Sequence, residues 1–438
     1  MRRQILDDSV RFACQGCTAC CDQPWRTLIE VDKAHALEAY DFGKYPQLAG
    51  RVFYHQPIDG REGFYELAKG EGTRCLFLDT DGLCIIHKEL GPQAKPNMCR
   101  QFPLLPVTTP LEDRISASFG CPSVQESKGT PLTEQADEIA KTVRLSDKPV
   151  ASDGVVPLDG SCHLTSVESD ALFARALALF DPQGEGDVWQ RFGELLALLV
   201  AVRDYKLSSS PDHADSDRLV QLLRSGEPLP NTPEVPEVRG WAQPERAPLP
   251  VRFLFAATMQ PDTVPTDSAA STGLFKRLTL IPKLMALVGL SGGYASRLLG
   301  RNVSLGAVIR HEVSETLDTR TTHLLARYYR SRLWQRSMAG TRLSIMAGVH
   351  QHIHDLNAIL FLARAEAQHQ GLTQLTEPLV RQALTRVEFH LANQSRLYDQ
   401  TLKGWLRAQL NDPALAFQSL RLMALKRSTL IGACRGGH

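Results

Sequence analysis

The 438-residue chain lacks an excess of either charge: 49 Lys and Arg against 48 Asp and Glu leave a formal charge of +1. Without a basic field there is no overall attraction for nucleic acid or an anionic membrane, and no nucleic-acid partner is expected. A long apolar run is also missing. The most apolar stretch, Leu278 to Leu290, is interrupted by Pro282 and Lys283 and is shorter than the roughly 20 residues that cross a bilayer, so no membrane span is expected. The opening segment MRRQILDDSVRF has no apolar core of the secretory-leader kind, which points to a reducing, cytoplasmic location. Repeats with a period of 20–50 residues are absent. So is any G-x-G-x-x-G loop, any zincin motif and the C-x3-C-x2-C spacing of radical enzymes, and the residues therefore assign no catalytic or cofactor-binding side chains.

Cysteine, by contrast, is concentrated. Eight of the ten cysteines lie within the first 121 residues: Cys14, Cys17, Cys20 and Cys21 are packed into eight positions, and Cys75, Cys84, Cys99 and Cys121 follow. Thiolates two residues apart can converge on one soft metal, because a short turn brings both sulfurs to the same side. In a reducing compartment this clustering reads as metal binding or catalysis before disulfides. Eight thiols suit two four-thiolate centres, or one centre with spare cysteines. Asp81-Gly82 lies between short apolar runs and reads as a β-hairpin turn with Cys75 and Cys84 on adjoining strands. In a regular hairpin these two sulfur positions are about 13 Å apart, too far to share one ion. They then serve different centres, or the hairpin is irregular.

The segments CQGCTACC, RCLFLDTDGLCIIH, KPNMCRQFP and FGCPS together resemble the YkgJ-type cysteine-cluster (CxxCxxCC) proteins, described as zinc- or iron-chelating. The resemblance spans about residues 12 to 124 and implies all eight cysteines as metal ligands. A cysteine domain followed by LLARYYRSRLW, an apolar helix from Leu343 and LTEPLVRQALTRVEFHL is similar in order and character to the flagellin lysine-N-methylases. That second similarity implies S-adenosylmethionine and a protein substrate, and carries no catalytic signature across.

The metal's identity is argued separately. Cys14, Cys17 and Cys20 have the C-x2-C-x2-C spacing that opens bacterial ferredoxin sites, and Cys121 precedes Pro122 as the last ferredoxin ligand precedes proline. Those details favour an iron–sulfur cluster, of the 4Fe-4S kind. The intervening Cys21 and the distance to Cys121 depart from the ferredoxin run, and zinc accepts four thiolates from separated pairs. Lys95 and Arg100 flank Cys99 and can balance thiolate charge. His87 is a weaker ligand, since eight thiols already suffice.

The fold expected is mainly α with a small Cys-rich, loop and β-hairpin N-terminal metal-binding domain. Its parts are a cysteine domain over 1–130, a helical segment over 131–227, a Pro-rich linker or surface strap over 228–250, and an α-helical domain over 251–438. Helices are read near Glu134–Val143 and, on either side of Asp181-Pro182, within 165–205. Another follows Thr376 with Leu379, Ala383, Val387 and Leu391 on one face, and the helix from Leu343 carries Met346, Ile353, Leu360 and Ala367.

Three further features invite functional readings. His350 and His354 are spaced i, i+4 but have no third ligand, and read as ordinary histidines. VGLSGG at 288–293 reads as a helix-ending turn. Arg327, Arg330, Arg332 and Arg336, with Tyr328, Tyr329 and Trp334, read as a solvated helix face with aromatic anchors.

Overall fold

The computed structural model describes residues 3–23, 26–57, 62–109, 112–143, 155–209, 213–235, 237–240, 246–263, 285–336, 343–390 and 403–425. Leu391 and the first part of the Leu278–Leu290 stretch lie outside them. Contacts divide the chain into two compact units, one built on residues 1–149 and one on 150–438, apart from short exchanged segments.

In the first unit Gly and Pro interrupt most of the chain beyond Gly43, and the elements there stay short. The strands are β1 (Arg3–Leu6), β2 (Arg11–Phe12), β3 (Leu28–Glu30), β4 (Tyr54–His55), β5 (Phe64–Leu67), β6 (Leu104–Thr108), β7 (Glu112–Ala117) and β8 (Thr130–Pro131). They form small sheets in the orders β1-β7-β6, β3-β5-β4 and β2-β8. The regular hairpin is β6–β7, with Leu104 opposite Ala117, while β1 joins it in parallel. Between the strands lie α1 (Val31–Ala39), α2 (Ile85–Leu90), α3 (Asn97–Gln101), α4 (Pro122–Gln125) and α5 (Ala136–Thr142). A tight 3-10 turn leads into α5, the helix read near Glu134–Val143.

A compact core holds these pieces. Ile29, Leu37, Phe77 and Ile85 are fully buried, and Cys75 and Cys84 pack against the same cluster. Phe42, Phe53 and Phe77 meet edge to face with centroids 5.2 to 5.7 Å apart, a favoured aromatic geometry. Glu89 at the end of α2 accepts from Tyr40 Oη (2.6 Å), Tyr45 Oη (2.5 Å) and Lys44 Nζ (2.8 Å), which ties α2 to the chain leaving α1.

The second unit is helical: α6 (Ser166–Leu179), α7 (Val188–Ser208), α8 (His213–Ser225), α9 (Leu249–Thr263), α10 (Leu305–Arg310), α11 (Thr319–Trp334), α12 (Ile345–Gln370), α13 (Glu377–His390), α14 (Lys403–Leu410) and α15 (Pro413–Leu420). Two small hairpins, β9 (Val155–Pro157) with β10 (His163–Thr165) and β11 (Gly293–Ser296) with β12 (Arg301–Ser304), complete it. A helix-rich chain with small sheets agrees with the mainly α expectation.

Helix α12 is the axis. It packs against α9, α13, α14 and α15 and is buried nearly all round, so Met346, Ile353, Leu360 and Ala367 are part of a fully enclosed cylinder and not a one-sided stripe. Ser344 caps its start on Ala347 N–H, and Gly371, at φ 68°, ends it in the left-handed conformation that glycine adopts without steric cost. Elsewhere Thr165 and Glu168 form a reciprocal capping box at α6, and the buried Glu168 also accepts from Lys206 and Ser216, both at 2.9 Å.

The arginine run differs from the solvated face expected of it. Arg332 and Arg336 are buried; Arg336 stacks on Phe173 and pairs with Asp170, Arg330 donates to the Leu177 carbonyl, and Tyr328 and Tyr329 are fully enclosed. The surrounding helices supply carboxylates and carbonyls that no local pattern reveals. The described parts of 228–250 contact the helical body: Leu229 and Ala247 are buried, and a Cβ on Gly193 of α7 would meet Val235 at 2.6 Å. VGLSGG is a helix-ending turn, with Ser291 N–H bonded to the Ala286 carbonyl, and leads into β11.

Candidate metal centre

The thiol-rich loops are positioned by backbone pairing that their sequence makes possible. After β2 the chain turns at Thr18, at φ 60°, whose carbonyl accepts from Cys21 N–H (2.7 Å) and Asp22 N–H (3.1 Å). Cys75 N–H then donates to the Cys21 carbonyl at 2.8 Å, and isolated bridges join Asp22 to Arg74 and Lys69 to Cys75. Immediately after Cys75 the chain folds back, Leu78 N–H bonding to the Cys75 carbonyl at 3.1 Å. Ile85 N–H meets the Phe77 carbonyl at 2.9 Å, and Cys84 is the N-cap residue of α2.

The hairpin around Asp81-Gly82 is therefore the irregular one of the two forms its sequence allows. Its arms pair over a short stretch, Leu78 bridging Cys84 with Asp79 N–H on the Leu83 carbonyl at 2.9 Å, and the turn at Cys75 shortens the path that an extended strand would span. Cys75 and Cys84 face one pocket. The irregular form was the condition under which these two cysteines could share a centre.

Cys99 enters from α3, which Lys33 holds in place by donating to the Lys95 carbonyl and to Asn97 Oδ1, both at 2.8 Å. The resulting pocket, about 50 Å³, is lined by Cys20, Cys21, Cys75, Cys84 and Cys99 together with Lys69 and Lys95 and an apolar wall that includes Leu67, Ile86 and Phe102. Clefts for organic ligands run to several hundred Å³. This one is far smaller.

The electrostatics follow from that wall. Burial pushes the Cys75 thiol up to about 11 and raises Cys84 and Cys99 as well, while Cys21 is raised first by its contact with Cys20, whose Sγ lies 3.8 Å away, and then by burial. Lys95 opposes the shift at Cys21, Cys84 and Cys99, and Lys69 opposes it at Cys21 and Cys75. The cations lining the pocket are thus Lys95, which precedes Cys99 in the sequence, and Lys69, which sequence spacing does not mark. Arg100 faces Asn97 Oδ1 at 3.5 Å and does not line the pocket, nor does the exposed His87.

The other three cysteines stand apart from that pocket. Cys14 and Cys17 are exposed, Cys121 is buried at the start of α4, and both exposed thiols act electrostatically on Cys121. All nine described cysteines are free thiols. Among the described residues no three His, Cys, Asp or Glu side chains are gathered tightly enough to hold a metal ion. The donor set nevertheless fits a soft metal in chemistry.

In the helical unit His350 and His354 are fully buried and stacked at 5.1 Å, with His350 bonded to the Leu410 carbonyl (3.2 Å) and Ser419 Oγ (2.8 Å). They are core histidines. No described helix is long and apolar enough to cross a membrane.

Residues 13–125 match the CxxCxxCC family, whose description reads "Putative zinc- or iron-chelating domain". Over 116 residues the chain is 29% identical to the flagellar biosynthetic protein FliU of Salmonella muenchen, covering 26% of this chain and 68% of that protein. No solved structure matches.

Proposed function

We propose that residues 13–125 hold a soft metal centre, an iron–sulfur cluster of the 4Fe-4S kind or zinc, through Cys21, Cys75, Cys84 and Cys99, with Cys20 beside them. One observation carries this reading: five thiols from four separate chain segments line one small pocket whose cations are two lysines. It coincides with the stretch matched to a chelating domain. When bound, such a centre supplies either a structural clamp or one-electron chemistry. The chain's own residues do the rest. The wall of Leu67, Ile86 and Phe102 keeps the thiols neutral until a cation arrives, and Lys69 and Lys95 offset part of the charge of a thiolate-bound centre. Free thiol ligands suit a reducing, cytoplasmic compartment. We further propose that the helical unit recognises a partner or substrate.

Anaerobic purification followed by absorption spectroscopy and metal analysis tests the proposal. A metal- or iron-and-sulfide-bearing protein that loses its content on Cys75→Ser and Cys99→Ser is expected. Unchanged content in both variants defeats it.

A second reading is methyl transfer from S-adenosylmethionine to a protein lysine, supported by the resemblance to flagellin lysine-N-methylases and by the flagellar relative. Donor binding would raise thermal stability by about 2.7 kcal/mol at a hundredfold excess over its dissociation constant. No shift at millimolar donor, and no transfer to a lysine-bearing protein, removes this reading.

A further inference from the structure

Five thiols line the inner pocket, where a four-thiolate centre uses four, and the surplus one is Cys20. Its Sγ lies 3.8 Å from the Sγ of Cys21, its neighbour in the chain. The turn that carries both is clamped on either side. The Thr18 carbonyl accepts from Cys21 N–H (2.7 Å) and Asp22 N–H (3.1 Å), the Cys21 carbonyl accepts from Cys75 N–H (2.8 Å), and Thr73 Oγ1 donates to Asp22 Oδ1 (2.7 Å). Gln23 Nε2 reaches back to the Ala19 carbonyl at 2.9 Å, and Lys69 Nζ donates to the Gln23 carbonyl at 3.1 Å. The two sulfurs are therefore kept side by side by bonds that neither thiol makes, and both residues are only half-buried.

From this we infer that Cys20 and Cys21 are an oxidisable pair that switches the inner site: closed as a disulfide they withdraw Cys21 from its ligands, and with metal on Cys21 they cannot close. The switch rests on the proposed centre for its consequence, while the chemistry of the pair does not. The oxidant is a peroxide, of which hydrogen peroxide is the simplest. One thiol takes an oxygen atom from it, giving a sulfenic acid and one water. The neighbouring sulfur then attacks the oxidised one, the S–O bond breaks, and the hydroxyl leaves with the attacking thiol's proton as a second water. The two thiols thus lose two electrons and two protons, and the peroxide is reduced to water. Adjacent residues hold their Cα atoms about 3.8 Å apart, closer than the roughly 4.4–6.8 Å usual across a disulfide. A bond closed over that spacing is strained, and strained disulfides are the readily reduced ones, so thiol reductants reopen the pair and return Cys21 to the site.

Treating the reduced, metal-free, full-length protein with one equivalent of hydrogen peroxide tests the pair. Titratable thiols should fall by two, the fragment carrying Cys20 and Cys21 should become about 2 Da lighter with the link mapped between those two sulfurs, and dithiothreitol should reverse both changes. Metal-loaded protein should keep its thiols under the same treatment. The oxidised protein should lose its uptake of equimolar zinc at micromolar concentration and regain it on reduction. Cys20→Ser and Cys21→Ser should each abolish the two-thiol loss, whereas Cys14→Ser combined with Cys17→Ser, at exposed positions, should leave it. A link mapped to any other pair, a loss that persists in both Cys20→Ser and Cys21→Ser, or oxidation that stops at a sulfenic or sulfinic acid overturns the pair. Zinc uptake that is equal in oxidised and reduced protein overturns the switch and leaves the inner centre standing. A reduced protein that binds neither zinc nor an iron–sulfur cluster defeats the inner centre itself, and the switch with it.

Discussion

Metal binding at the inner pocket should depend steeply on pH, because its proposed ligands are thiols that are neutral at pH 7 and burial raises them further. Burial moves Cys75 from an ordinary value near 9 to about 11, and Cys21, Cys84 and Cys99 move the same way. At pH 7 Cys75 then sits four units below its pKa, with roughly one thiolate in ten thousand. The two-unit rise weakens thiolate ligation by about 3 kcal/mol relative to an unperturbed cysteine, a fraction of the roughly 10–16 kcal/mol that a structural zinc site yields. Each thiol enters coordination by releasing its proton, so binding to four neutral thiols should free close to four protons. The apparent dissociation constant should fall by about 10⁴ between pH 6.5 and 7.5, against about 10² if two thiolates were already formed. Competition with a chromophoric chelator across that range measures the slope. Zinc calorimetry in buffers of different ionisation enthalpy counts the protons directly. Release of two protons or fewer, or thiolate absorbance near 240 nm in the metal-free form at pH 7, would refute the reading that the pocket thiols are neutral before metal binds.

Arg191, buried in α7, donates to the carbonyls of Leu179, Asp181, Gly184 and Gly186, and closes the loop between α6 and α7. Arg191→Met strands those acceptors and should cost about 3–5 kcal/mol, read as a lowered urea midpoint of the helical unit. Burial depresses His350 from 6.5 to about 4. The unfolded chain takes up a proton that the folded chain refuses, so this stabilisation is complete above pH 6.5 and is lost as pH falls towards 4, to the extent of about 3 kcal/mol; His350→Gln should flatten that part of the stability profile, and an unchanged profile would contradict it. At Gly193 alanine is intrinsically the better helix former by about 1 kcal/mol, yet its Cβ would meet Val235 at 2.6 Å. Gly193→Ala should displace the strap and speed proteolytic cleavage within 228–250; slower cleavage would show that Val235 gives way without loss.

Much of this protein is legible locally. The eight clustered cysteines, the helices on either side of Asp181-Pro182 and the ending of VGLSGG as a turn all depend on neighbours within a few residues, where spacing and turn chemistry act. The sequence by itself therefore determined the concentration of thiols and the helical character of the chain. Tertiary structure alone decided which thiols share a pocket, because Cys21, Cys75, Cys84 and Cys99 are joined by bonds such as Cys75 N–H to the Cys21 carbonyl, across 54 residues of chain. It also placed Lys69 beside the thiols and turned the arginine run of α11 inward, where Asp170 and the Leu177 carbonyl supply partners from α6. The physical reason is common to all three: a side chain's burial and partner are set by elements distant in sequence, and no local period encodes them.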